Sequence, residues 1–75
     1  MRIDINGSAG YVGSSLIRRL AHEVDVEATL AIDIRRPSAS YPPNVTHVNH
    51  NVVEPLESLL SDFSPDAVVH LAFVL

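Results

Sequence analysis

With 75 residues, one domain is the ceiling, and a chain of this size buries only about 60% of the surface its unfolded form exposes. A composition of 47% hydrophobic and 19% charged residues argues for a globular segment and against intrinsic disorder. The formal net charge is −4, and the 5 basic residues are all arginines, at positions 2, 18, 19, 35 and 36, forming no extended basic stripe; nucleic acid is disfavoured as a partner.

Met1 to Asn6 reads as a first strand, with Ile3 and Ile5 apolar. Asp4 is out of character there, because a central parallel strand is usually apolar on both faces. Gly7 to Gly10 is a turn, and a helix is expected from Tyr11 to Glu23. Its Val12, Leu16, Ile17, Leu20 and Val24 recur at the three-to-four-residue spacing of one helical face. Arg18 and Arg19 lie off that stripe, near the helix end where cations suit the macrodipole. Val26 to Asp33 is a second strand, with Ala28, Leu30 and Ile32 on one face and an acid at its carboxyl end. Ile34 to Asn44 is a loop, since Pro37, Pro42 and Pro43 forbid a regular helix through most of it. Val45 to Asn49 is a short third strand.

Glu54 to Phe63 reads as a second helix, with Pro55 in its first turn and Leu56, Leu59, Leu60 and Phe63 as its apolar stripe. Ser64, Pro65 and Asp66 break it. Ala67 to Phe73 is a fourth strand, an apolar run of the kind found in fully buried parallel positions. This alternation predicts an α/β fold with right-handed crossovers. The expected arrangement is the first half of a Rossmann-type parallel sheet, strand order 3-2-1-4, with helices on both faces. The fourth strand is left with an open edge, which whole proteins usually cover. Residues 1–75 are therefore expected to be the amino-terminal segment of a longer protein, truncated after the fourth strand.

The informative segment is Gly7-Ser8-Ala9-Gly10-Tyr11-Val12-Gly13, between a predicted strand and a predicted helix. Gly7 allows the tight turn, Gly10 lets the backbone approach a pyrophosphate, and Gly13 lets the helix pack close to the sheet. The N–H groups around Gly10, Tyr11 and Val12 then face the phosphates, aided by the helix dipole. Ser8 is a further candidate for phosphate contact. Asp33 follows Gly13 by 20 residues, the interval at which a dinucleotide site places an acid against the adenosine ribose. That acid should repel a 2′-phosphate, so NAD is expected rather than NADP. Arg35 and Arg36 complicate the preference, because either could reach a 2′-phosphate or stack on adenine.

These residues resemble the NAD-dependent epimerase/dehydratase family of extended short-chain dehydrogenases. The spacing Gly7-x-x-Gly10-x-x-Gly13 is that family's, and Asp33-Ile34-Arg35-Arg36 looks like its segment after the second strand. Asn51-Val52 lies where the family usually has Asp and an aliphatic residue in contact with adenine. Asn keeps an acceptor and adds a donor. Asp66-Ala67-Val68-Val69-His70-Leu71-Ala72-Phe73 resembles the family's His-Leu-Ala-Ala strand, so Leu71, Ala72 and Phe73 are implied to lie along the cofactor. The resemblance implies a parent of a few hundred residues, expected to be homodimeric. Such enzymes use a Tyr-x-x-x-Lys pair with a Ser or Thr to move a hydride and a proton at a sugar carbon or another alcohol. Neither Tyr11 nor Tyr41 has a Lys four residues on.

Other chemistries are weaker. With no cysteine there is no disulfide framework and no thiolate metal site, which fits a cytoplasmic protein. With no lysine, the Gly-Lys-Ser/Thr phosphate loop is excluded. No apolar stretch reaches the roughly 18 residues of a membrane span, and the first residues do not read as a secretory signal. His47 and His50 would point to opposite faces of a strand, with no nearby Cys or acid to complete a metal site. Three functions remain: the NAD-binding part of an epimerase, dehydratase or dehydrogenase acting on a nucleotide sugar or related alcohol; a non-catalytic NAD(P) sensor; or an inactive truncated product.

Overall fold

The computed structural model describes residues 1–37, 39–51 and 53–71. The elements run β1 (Arg2–Asn6), α1 (Tyr11–Leu20), β2 (Ala28–Asp33), β3 (Val45–Asn49), α2 (Glu57–Phe63) and β4 (Ala67–His70). The four strands form one parallel sheet in the order β3-β2-β1-β4.

The register sorts the side chains. Ile3 stands beside Thr29, Ile5 beside Ala31, and Thr29 beside Val45. Ile3, Ile5, Ala31 and Val45 cluster with Ile17 of α1 and with Val26, so this face carries the core under α1. Tyr41, from the proline-bearing loop, packs against the same cluster. Alternation sends Asp4, Asn6, Leu30 and Ile32 to the opposite face. The chain moves one way across the sheet from β1 to β2 and the other way from β3 to β4. Crossovers of one hand then put α2 on the face opposite α1.

Several elements differ from the expectations; β2 begins at Ala28 rather than Val26, which lies in the exit from α1. α1 stops at Leu20, and the chain leaves it by tightened turns, with His22 N–H donating to Arg19 O and Glu23 N–H to Leu20 O. That exit buries Val26 and leaves Val24 95% exposed, so Val24 is not part of the stripe. α2 starts at Glu57 rather than Glu54, whose N–H donates instead to Asn51 O. β4 is half-buried and exposed in alternation rather than fully buried, since among the described residues it lies at the sheet edge, paired with β1. The end of α2 is tied to β1 by Arg2. Its Nε donates to Phe63 O at 2.7 Å, its guanidinium lies 4.3 Å over the Phe63 ring, and its N–H donates to Asp66. No described helix is long and apolar enough to cross a membrane.

Candidate functional site

β1 ends at Asn6 and the chain bends at Gly7, whose φ of 87° lies where L side chains are disfavoured. The Gly7 and Ser8 N–H groups both donate to Ile32 O, at 2.8 and 3.2 Å, which pins the bend to the end of β2. Gly10 is the N-cap of α1. Among the described residues no side chain caps that helix, and its first turn carries no acid. The first N–H groups of a helix have no intrahelical acceptor, so this end presents bare donors and the positive end of the dipole. Tyr11 and Val12 beside it are 90% and 61% exposed. Val12 therefore belongs to this open rim and not to the buried stripe of α1.

The two later glycines have different tasks. A Cβ on Gly13 would meet Gly7 O at 2.5 Å and the Ser8 Cα and O at 2.9 Å. All three are backbone atoms, so α1 can pack on the turn only through a glycine. A Cβ on Gly10 would meet Arg35 Nη2 at 3.4 Å and Gly7 O at 3.6 Å, ordinary contact distances. Nothing within the described chain requires a glycine at position 10. What it leaves is a cradle that a side chain would fill.

Asp33, at the carboxyl end of β2, turns back to this bend. Its Oδ2 accepts from Ala9 N–H at 3.0 Å and from Arg35 Nη2 at 3.2 Å. Its Oδ1 accepts from Arg35 N–H at 2.9 Å and Arg35 Nε at 3.3 Å. Burial alone would raise this carboxyl. The Arg35 side-chain and backbone bonds, the Ala9 N–H and the Arg35 charge outweigh it and hold Asp33 below the ordinary carboxylate value. Asp33 is thus an anion at neutral pH, fixed at the glycine bend.

The remaining candidates lie in several settings. Ser8 is fully buried, its N–H spent on Ile32 O and its hydroxyl unpaired. Ile34 and Asn51 are exposed near Asp33, and His50 N–H donates to Asp33 O. Asn51 Oδ1 accepts from Val53 N–H. Leu71 is half-buried, its N–H on Asn6 O at 2.7 Å, which brings it beside the start of the bend. Val52, Ala72 and Phe73 lie outside the described residues.

Two participants escape a sequence reading. Ala9 acts through its backbone N–H, which no side chain announces. Asn6 lies between Asp4 and His70, one end of its amide 3.3 Å from His70 Nδ1. The partners assign the amide. Nδ2 donates to Asp4 Oδ2 at 2.8 Å, and Oδ1 is left for the His70 side. The only sequence signal for this chain of contacts is the pair of polar residues two apart in β1.

Bare amides at a helix start, an open glycine cradle and an anion at the next strand end together fit a dinucleotide. They suit a diphosphate over the bend and ribose hydroxyls on the carboxylate. The fold and the site define a Rossmann-type nucleotide-binding unit. A family model for the NAD dependent epimerase/dehydratase family matches residues 3–75, and the chain belongs to that family. No curated protein sequence matches it. Among solved structures it is similar to the Bordetella bronchiseptica enzyme WbmG in complex with NAD, at 31% identity and a TM-score of 0.80. It is similar in fold to UDP-glucuronic acid 4-epimerase from Bacillus cereus in complex with NAD, at 24% identity and a TM-score of 0.80. All of this chain is covered in each case, but only 26% and 28% of those two proteins, so it spans about a quarter of their length.

Proposed function

We propose that this chain binds the adenosine and diphosphate part of NAD. It would do so as the amino-terminal part of an epimerase/dehydratase-type oxidoreductase acting on a nucleotide sugar or related alcohol. The observation that carries the reading is the Asp33 carboxylate held on the Ala9 N–H, at the glycine bend. Family membership and the NAD held by WbmG support it. When bound, NAD supplies a hydride acceptor. The residues described here bind and orient. The amides of Tyr11 and Val12 meet the diphosphate, Gly10 admits it, and Asp33 accepts from the adenosine ribose. Ile34, Asn51 and Leu71 border the same edge. The charged Asp33 disfavours a 2′-phosphate, so NAD is preferred to NADP. A cytoplasmic, homodimeric parent completes the proposal.

Calorimetric titration tests it. The chain should bind NAD, with NADP weaker by about tenfold, roughly one misplaced charge contact. No binding of either dinucleotide, or tighter binding of NADP, overturns it.

A further inference from the structure

We propose that the Arg35 guanidinium is a built-in occupant of the ribose site. It holds Asp33 while no ligand is bound, and passes to the ligand's diphosphate when ribose hydroxyls take its place on the carboxylate. The inference rests on the NAD reading above.

A carboxylate offers about four lone-pair positions. At Asp33 all of them are used, by Ala9 N–H, Arg35 N–H, Arg35 Nε and Arg35 Nη2. A ribose that donates two hydroxyls to Asp33 must displace two of these donors. The backbone pair cannot yield cheaply. Ala9 belongs to a bend that Gly7 and Ser8 pin to Ile32 O, and Arg35 N–H lies only two residues past the end of β2. The guanidinium pair can. Its bonds, at 3.3 and 3.2 Å, are the longest of the four, and the Arg35 side chain is 63% exposed. The carboxylate is buried but the guanidinium sits largely in water, so it gives up little when it leaves.

The displaced group has a destination within reach. Arg35 Nη2 already lies 3.4 Å from the point a Gly10 Cβ would occupy, at the rim of the uncapped helix start. An anion there meets bare amides and a planar fork of donors that matches phosphate geometry. Ligand binding therefore exchanges pairs instead of breaking one. The carboxylate gives up a guanidinium for hydroxyls, and the guanidinium gives up a carboxylate for phosphate. A nucleoside without phosphates must evict Arg35 with nothing offered in return. Arg35 thus makes the ribose site favour ligands that also carry the diphosphate.

Titrations of the full chain and of Arg35→Ala with adenosine and with ADP-ribose separate the parts. Arg35→Ala should bind adenosine about two- to fivefold tighter, the range set by losing one competing guanidinium that is itself largely exposed. It should bind ADP-ribose about two- to fivefold weaker at low salt, and the deficit should shrink at roughly 0.5 M salt. In the unmutated chain, ADP-ribose should shift the Arg35 Nε–H resonance and leave the Ala9 amide close to its free position. Unchanged or weaker adenosine binding by Arg35→Ala overturns the exchange and leaves the NAD reading standing. So does an Arg35 Nε–H resonance indifferent to ADP-ribose. Failure of the unmutated chain to bind ADP-ribose, adenosine or NAD removes both.

Discussion

Two carboxylates are buried one strand apart, and they behave oppositely. Asp4, in the middle of β1, is 0% exposed, and Asp33, at the end of β2, is 5% exposed. Burial pushes Asp4 up to about 6, against the pull of His70 and the Asn6 hydrogen bond, while Asp33 is held below its ordinary value. Asp4 lies deeper in the chain, so burial weighs more heavily on it, and the donors around Asp33 widen the difference. Within β1 the backbone N–H groups are committed to ladders with β2 and β4 on either side, and Asp4 is left with the Asn6 amide. Past the strand ends, the glycine bend and Arg35 have N–H groups to spare, and Asp33 collects them. The same surplus that keeps Asp33 charged is what a dinucleotide would use.

The strongest way to break this contrast is to break the bend. Gly13→Ala drives a Cβ into Gly7 O and Ser8, where only backbone can give way. It should destabilise by about 3 kcal/mol or more, at the upper end for overpacking. Thermal melting should show the transition lost or strongly lowered, and Asp33 should lose its Ala9 donor. Next in size is Asp33→Asn. Removing a hydrogen-bonded charge and placing an amide against the same N–H groups should cost about 2 kcal/mol at pH 7. The sign of the pH effect is set by a lowered carboxylate. Asp33 contributes stability above its unfolded value of about 4 and loses it as pH falls below that. Denaturant melts of the variant should therefore draw closer to the unmutated chain as pH falls below about 4, and NAD affinity should drop about tenfold.

Asp4→Asn should move stability the other way. A carboxyl raised from 3.8 to about 6 contributes most when protonated, below about pH 4. Its contribution then fades as pH rises, by about 3 kcal/mol once pH has passed 6. Asp4→Asn should flatten that window and stabilise the chain at pH 7.5 by about 1–2 kcal/mol. The gain is less than the full cost because the new amide's own N–H groups need acceptors. Melts at pH 4 and 7.5 that leave the variant with the unmutated slope would place the titration elsewhere.

What the sequence makes legible follows the same division. Strand order, the bend and Asp33 are readable because they rest on local demands: a glycine where φ is positive, another where a Cβ would strike Gly7 O, and an acid at a strand end. The fate of Asp4 is not readable, because it depends on burial by distant parts of the chain and on an amide two residues along. The exposure of Val24 and the early end of α1 are hidden for a related reason. Helical periodicity gives no sign that burying Val26 would turn the chain sooner. Arg35 is visible as a charge near the site, but its grip on Asp33 depends on a side-chain direction that spacing does not carry.

The smallest expected change in stability is the most telling about function. Gly10 and Gly13 belong to one motif, and residue type alone cannot say which serves the fold and which a ligand. At Gly10 the backbone has φ −73°, open to any residue, and a Cβ would touch only Arg35 Nη2 and Gly7 O at ordinary distances. Gly10→Ala should therefore change stability by no more than about 0.5 kcal/mol, the range of a surface substitution without strain. It leaves the donors to Asp33 in place, so the low carboxylate value should persist. Yet its methyl group occupies the cradle over the bare helix amides, where a diphosphate must approach the backbone closely. NAD affinity should fall about tenfold or more while the melting curve stays put. A variant that binds NAD as tightly as the unmutated chain would show that the phosphates lie elsewhere. The surplus donors of the bend would then serve only to keep Asp33 charged.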